Sequence, residues 1–263
     1  MPADKTPEFQ DLLRRRSAAE YAAFMLPHLG DGGVLLDCGC GPGSITYGLA
    51  ERLHRWSVFG VDVANGFRAV RRNAEAEGLA NLTFVRGDIN ALPNPDQSID
   101  AVLAHSVVET LATPSATLLE MRRVLKTGGV IGLAAVDYGG LLFTGPSVDS
   151  LLQFYSLKEQ VWEKAWDSAP RRGRYLRALL SEAGFRDVAA SARYVSYGDQ
   201  ELVRQFAVDR AEECRGGALA DDALRLGLVD RSALQAMSKA WRTWGDSTDS
   251  FLAFPWCAVV GWK

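Results

Sequence analysis

Seven consecutive residues concentrate the chemistry this sequence could perform: Asp37-Cys38-Gly39-Cys40-Gly41-Pro42-Gly43. The apolar run Val34-Leu35-Leu36 precedes them, and a helical pattern from about Ser44 to Leu53 follows. Glycines between a strand and a helix permit backbone dihedrals closed to other residues and let a ligand approach the main chain. The helix N-terminus behind them favours negative charge or polar acceptors. Two further acids end two later strands. Asp62 lies 19 residues after Gly43, where a carboxylate can accept both hydroxyls of a ribose. Asp88, in Val85-Arg86-Gly87-Asp88-Ile89, can accept from an adenine amino group while Ile89 packs on the ring. The competing reading of the turn is a purely structural need for Gly. A nicotinamide enzyme would share the ribose acid, but its turn would read G-x-G-x-x-G, and here the spacing is G-x-G-x-G.

General acid–base work at neutral pH points first to histidine. There are three. His28 falls at the end of an N-terminal helix and His54 at the end of a surface helix, and both read as solvated. His105 falls where the fourth strand meets a loop, and ligands of open α/β sheets bind at the carboxyl ends of strands. It is the candidate base; the plainer alternatives are a backbone contact to the ligand or a pocket wall. Glu109, Asp137 and Tyr138 face the same edge and are candidates for substrate contact, with a loop cap as the alternative for Asp137. Cys38 and Cys40 have no second Cys/His pair nearby, so no metal site is expected.

These residues need a scaffold that brings strand ends together. The patterning supplies strands at Val34 to Asp37, Trp56 to Val61, Leu82 to Val85, Ile99 to Ala104 and Val130 to Val136. Helical patterns separate them: Ser44 to Leu53, Gly66 to Glu77, and a stretch opened by Thr113-Pro114 as N-cap and first residue. That stretch presents Leu118, Met121, Val124 and Leu125 on one face and is expected to end at Gly128-Gly129. Short apolar strands alternating with helices mean parallel βαβ units, so this half is α/β, an open doubly wound sheet. Before it, Phe9 to Leu29 suits one or two amphipathic helices. After it, 137–172 is irregular with a helical stretch near Leu151 to Trp166. Arg174 to Ala183 is helical with Gly184 as its cap, and Val188 to Val195 is a sixth strand. Asp199 to Trp244 is mostly helical with a break at Gly216-Gly217, and Phe251 to Trp262 is a last strand.

Composition narrows the partners. The 263 residues include 48% hydrophobic and 23% charged, with a formal net charge of -3. Disorder would need fewer apolar residues and a larger net charge. No global basic field draws the chain to nucleic acid, and Arg14 to Arg16, the densest basic run, reads as a solvated helix face. No stretch approaches the roughly 18 apolar residues of a membrane span, and the N-terminus lacks the order of a secretory signal. The expectation is a cytoplasmic protein, monomer or homodimer, acting on a small molecule.

With these motifs in order, the chain resembles class I S-adenosylmethionine-dependent methyltransferases. VLLDCGCGPGSIT is similar to their first motif, GVDV to the second, RGDI with ALP to the third. SIDAVLAHSVVETL, MRRVLKTGGVIGLAAVD and RALLSEAGFRDV resemble the segments that follow. The likeness covers about Arg16 to Val195 and is nearest the branch resembling ubiquinone/menaquinone-biosynthesis methyltransferases, which the segment ending FMLPHL supports. The resemblance implies one Rossmann-like domain of seven mostly parallel strands with the last antiparallel, inserted between the fifth and sixth, plus helical lid insertions. Its parts would be N-terminal helices over 1–32, a cofactor-binding core over 33–136, lids over 137–172 and 197–249, and the final strand over 250–263.

The resemblance also implies S-adenosyl-L-methionine as cofactor, S-adenosyl-L-homocysteine as product, and residue roles. Gly39, Gly41 and Gly43 would line the methionine and ribose, and Asp37 would fix the loop and the amino group. Asp62 would hold the ribose, and Asp88 and Ile89 the adenine. Ala104, His105 and Ser106 would pass beside the cofactor, with Cys40, Val63 and Gly87 in the same motifs. Arg16 and Tyr21 would close over it. Tyr21, Glu109, Asp137, Tyr138, Phe143 and Trp162 would meet the substrate. The lids carry Tyr138, Phe143, Phe154, Tyr155, Trp162, Trp166, Tyr197, Phe206, Trp241 and Trp244. Most are expected to pack, the rest to line an apolar pocket for a flat or greasy metabolite. Methylation of exocyclic amines in DNA or of glutamine uses an N-P-P-Y-like loop after the fourth strand, where this chain has Ala-His-Ser-Val. The competing class keeps fold and cofactor but performs a cyclisation or rearrangement.

Overall fold

The computed structural model describes residues 13–263. Its strands are β1 (Gly33–Cys38), β2 (Trp56–Asp62), β3 (Leu82–Arg86), β4 (Ile99–His105), β5 (Leu125–Val136), β6 (Leu142–Thr144), β7 (Arg186–Tyr197) and β8 (Phe251–Trp262). Its helices are α1 (Ala18–Tyr21), α2 (Ser44–Arg52), α3 (Arg68–Ala76), α4 (Pro114–Val124), α5 (Val148–Ala165), α6 (Leu176–Glu182), α7 (Gln200–Arg215), α8 (Ala218–Arg225) and α9 (Arg231–Asp246). The described residues group into two compact units, one of 13–135, 172–191 and 257–263, the other of 136–171 and 192–256. Phe9 to Leu12, expected in the first amphipathic stretch, lie outside the described residues.

In the first unit β3, β2, β1, β4 and β5 run parallel in that order. The order reverses between β1 and β4, which opens a crevice at their carboxyl ends. The central strands β1, β4 and β5 are covered on both faces and mostly apolar: Leu36, Val102, Leu103, Ile131 and Leu133 are all buried, while the edge strand β3 is largely exposed. Leu118, Met121 and Val124 of α4 fill the same core, the face their spacing predicted. The last strand follows β5. Gly128 N–H donates to the Lys263 carbonyl and Lys263 N–H to that of Gly129, which joins the start of β5 to the end of β8, antiparallel as expected.

Three expectations are corrected. Among the described residues the sheet has eight strands, not seven. The extra one, β6, lies in the segment read as irregular and pairs antiparallel with β8, Leu142 opposite Ala253 and Thr144 opposite Phe251. Three residues are too few to show a period in sequence. Helix α4 ends at Val124, before Gly128-Gly129, and Leu125 is already extended. The glycines serve a bend: Gly128 has φ 79°, and a Cβ on Gly129 would lie 2.9 Å from the Lys126 carbonyl oxygen and 3.0 Å from that of Asp100. Thr113 stands at the N-cap with Pro114 after it, but its side chain makes no capping bond there.

The second unit is built of α5, α7, α8 and α9, with β6 and the adjoining parts of β7 and β8. Asp199 caps α7 by accepting from the N–H groups of Glu201 and Leu202, and Asp230 caps α9 by accepting from Ala233 N–H. Helices α7 and α9 approach closely where Gly245 faces Ala207; a Cβ at Gly245 would stand 2.5 Å from the Ala207 methyl.

Candidate active site

Strand β1 ends at Cys38, and the next two N–H groups, of Gly39 and Cys40, both donate to the Val61 carbonyl at 2.7 and 3.1 Å. The turn is left-handed at three glycines, with φ 75° at Gly39, 56° at Gly41 and 85° at Gly43. Their surroundings differ. A Cβ on Gly39 would meet Val107 at 2.5 Å, and one on Gly43 would meet the Phe84 ring at 2.7 Å. Around Gly41 nothing lies within 4 Å. The outer glycines are therefore fixed by packing, and the middle one faces open space.

Two carboxylates hold this turn. Asp62 accepts from Gly41 N–H through Oδ2 and from Ala64 N–H through Oδ1, each at 2.8 Å. Asp37 is buried at 2% exposure, and its Oδ2 accepts from the Thr46 hydroxyl at 2.7 Å. Burial pushes its carboxyl up to about 7; the Thr46 bond opposes this, and the charge of Asp62 adds to it. Cys40 turns inward, its Sγ 3.0 Å from where a Gly60 Cβ would stand, and burial raises its thiol pKa.

The β3 end joins the same edge. Gly87 N–H donates to the Asp62 carbonyl at 3.0 Å. Asp88 is exposed and accepts through Oδ1 from both the backbone and side-chain N–H of Asn90. Ile89 is buried within the core cluster, and Val63 is exposed.

At the end of β4 three of the expected residues meet. The His105 ring, buried, lies edge-on to the Tyr21 ring with centroids 5.1 Å apart, and the Arg16 guanidinium carbon is 5.4 Å from the Tyr21 centroid. Ala104 precedes His105 with no exposure. Ser106 follows with φ 60°, a conformation that costs a non-glycine residue energy and recurs at functional sites. It is held there by its N–H to the Ala134 carbonyl at 2.8 Å and its hydroxyl to Glu109 Oε1 at 3.0 Å. Glu109 is fully buried.

Of the expected substrate residues, Tyr21 and Glu109 belong to the first unit, and Asp137, Tyr138, Phe143 and Trp162 to the second. Asp137 accepts from Gly139 N–H, the loop-capping bond foreseen as its alternative. Tyr138 and Phe143 enter one aromatic cluster. Tyr138 lies 5.4 Å from Tyr155 and 5.5 Å from Trp162, and Phe143 lies 5.6 Å from Tyr155 and 6.1 Å from Trp241. The sequence reading missed Thr46, whose hydroxyl in the first helical turn after an acid was a usable signal. It also missed Val107 and Phe84, which dictate two of the glycines, and Arg210, whose burial no spacing reveals.

A parallel sheet whose order reverses beside a glycine turn, with acids at the neighbouring strand ends, defines a Rossmann-like nucleoside-binding protein. Residues 36–133 match the family model described as a methyltransferase domain. A probable methyltransferase of Aspergillus luteorubrus, ltbC, is 29% identical over 94% of this chain and 92% of its own length. The demethylmenaquinone methyltransferase of Thermus thermophilus is 37% identical over 45% of this chain and 52% of its own. A phosphoethanolamine N-methyltransferase of Haemonchus contortus, solved with S-adenosylhomocysteine, shares the fold at TM-score 0.57 and 17% identity, over 94% of this chain and 52% of that one. Residues 36–133 form a methyltransferase domain of the class I, S-adenosylmethionine-dependent kind, and S-adenosyl-L-methionine is the cofactor. The residues present fit that molecule: the space over Gly41 admits a backbone-bound ligand, Asp62 carries a ribose-type acceptor beside it, and Asp37 is a buried carboxyl suited to an amino group.

Proposed function

We propose that this enzyme methylates a small aromatic or apolar metabolite. The observation that carries the reading is the aromatic cluster of the second unit, in which Tyr138, Phe143, Tyr155, Trp162 and Trp241 form a continuous ring-to-ring network. Aromatic walls favour flat or greasy ligands and exclude water. The likeness to the Thermus demethylmenaquinone methyltransferase supports an acceptor of that kind.

The cofactor, when bound, supplies a methyl group already activated on a sulfonium. Little further activation is needed, and most of the rate comes from position. Asp62 and the backbone at Gly41 bind the ribose, and Asp37 orients the amino group. Asp88, with Gly87 and Ile89, borders the adenine. Arg16 and Tyr21 close over this side, and Tyr21 fixes the ring plane of His105. His105 takes the proton of a hydroxyl acceptor as general base. Tyr138, Phe143 and Trp162 wall the acceptor.

The test is incubation with methyl-labelled cofactor and a metabolite extract. Label is expected in an apolar small-molecule fraction, with Asp62→Ala weakening cofactor binding and transfer together. A converted metabolite beside intact cofactor would overturn methyl transfer and favour a rearrangement on the same fold.

A further inference from the structure

The basic run Arg14 to Arg16, expected on a solvated helix face, lines a cavity of about 350 Å³. That size falls within the roughly 300–1,000 Å³ of small-molecule sites. The run forms one wall, α2 a second, and Val70 and Asn73 of α3 a third, all within the first unit. Positions 44, 47, 48, 51 and 52 of α2 border it, the i, i+3, i+4, i+7, i+8 spacing of one helix face. Gly48 lets α1 come close, since a Cβ there would stand 3.1 Å from the Ala18 methyl. The Ser44 hydroxyl ties the preceding segment down by donating to the Leu13 carbonyl at 2.9 Å. This is not the cofactor site. None of Asp37, Gly39, Gly41 and Asp62 lines it, and from Ser44 to Arg52 it runs about 12 Å along α2, away from the glycine turn.

Four arginines, the run and Arg52, line the cavity against one carboxylate, Glu51. The chain as a whole carries a net charge of -3, so the excess is local. Arg14, Arg15 and Arg16 also make local contacts, but a guanidinium has five N–H donors and can hold one partner while pairing with another. The Ser17 hydroxyl accepts from Glu20 N–H at 3.3 Å, which leaves its own proton to donate, and Asn73 adds an amide. The Tyr47 hydroxyl is already engaged, donating to Glu77.

Donors dominate this lining, and guanidiniums pair phosphoryl oxygens two at a time. One phosphoryl group carries roughly −1.5 to −2 of charge, less than four arginines and one carboxylate leave over; two linked groups match it better. A lipid surface is a poorer fit, because none of the large hydrophobic residues exposed among the described residues borders the cavity to anchor it. We propose that this cavity binds a diphosphate group, free or esterified, at a site separate from that of the cofactor.

The test is titration calorimetry on the full chain with the cofactor site filled by S-adenosyl-L-homocysteine, which keeps adenine-bearing probes out of it. Inorganic pyrophosphate is expected to bind about tenfold more tightly than inorganic phosphate, the worth of one further charged hydrogen bond. Added salt should weaken both. Arg15→Ala and Arg52→Ala, at exposed positions, should each lower pyrophosphate affinity about tenfold. Glu51→Gln should raise it several-fold, and Arg55→Ala, an exposed arginine outside the cavity, should leave it unchanged. ADP distinguishes the two sources: binding at least as tight as that of pyrophosphate supports an esterified diphosphate, and weaker binding that still needs Arg15 and Arg52 supports the free ion. No pyrophosphate binding at millimolar concentration, equal affinity for phosphate, or undiminished affinity in the Arg15 and Arg52 variants overturns the proposal. So does an equal loss in Arg55→Ala, which would show attraction to surface charge alone.

Discussion

Asp37 is a carboxyl held at 2% exposure and pushed up to about 7, so near neutrality it is about half protonated. Desolvation is the largest cause; the Thr46 hydroxyl favours the ionised form and Asp62 opposes it. In the unfolded chain the group returns to its ordinary 3.8. Between those values the folded chain holds a proton that the unfolded chain has released. The Asp37 contribution to stability is therefore full below about 4 and is lost as pH rises to about 7. A cationic amino group placed against Asp37 reverses the balance by favouring the carboxylate. Cofactor binding at pH 7 should then expel part of a proton. Calorimetry in two buffers of different ionisation enthalpy checks this: the apparent binding enthalpy should depend on the buffer in the wild type and lose that dependence in Asp37→Asn. A wild-type enthalpy independent of buffer would separate Asp37 from the amino group.

The turn between β1 and α2 shows how one element divides its glycines between two tasks. At Gly43 both backbone and space forbid a side chain, with φ 85° and the Phe84 ring 2.7 Å from any Cβ. Phe84 cannot yield easily, because it stacks on Phe67 at 5.1 Å. At Gly41 only the backbone objects, with φ 56° and open space beyond. Gly43→Ala should cost about 2–4 kcal/mol in denaturant unfolding, the sum of a left-handed penalty and overpacking. Gly41→Ala should cost about 1 kcal/mol and act chiefly on cofactor affinity. Equal unfolding costs would mean that Phe84 is not what fixes Gly43. The motif Asp37 to Gly43 and the acids Asp62 and Asp88 were legible in sequence because each sits at a strand end, and strand ends follow from apolar runs. Strand β6 was not, since three residues carry no period. Nor was the early end of α4, because Gly128-Gly129 makes as good a helix stop as a strand bend until Asp100 stands beside it. Arg210 lies in a segment legible only as helical, and nothing in its spacing marks the position as buried.

The two units are compact, yet they are not consecutive in sequence. Strand β7 runs from residues of the first unit, to 191, into residues of the second, and β8 runs from the second, to 256, back into the first. A strand shared in this way cannot lose the ladder of one half without loosening the other, because its extended backbone is continuous through the boundary. Separate unfolding of the units would require β7 and β8 each to break in mid-strand. The expectation is one cooperative transition despite two clusters of contacts. Trp241→Ala tests it from the second unit alone. Trp241 has no exposure, and its removal should cost about 3–5 kcal/mol. Hydrogen exchange should then rise by the same free energy in α9, where the change lies, and in α2 of the first unit, whose slowest amides report global opening. Exchange that accelerates over residues 231–246 while residues 44–52 keep their protection would show that the shared strands do break, and that the aromatic unit opens independently of the cofactor motifs.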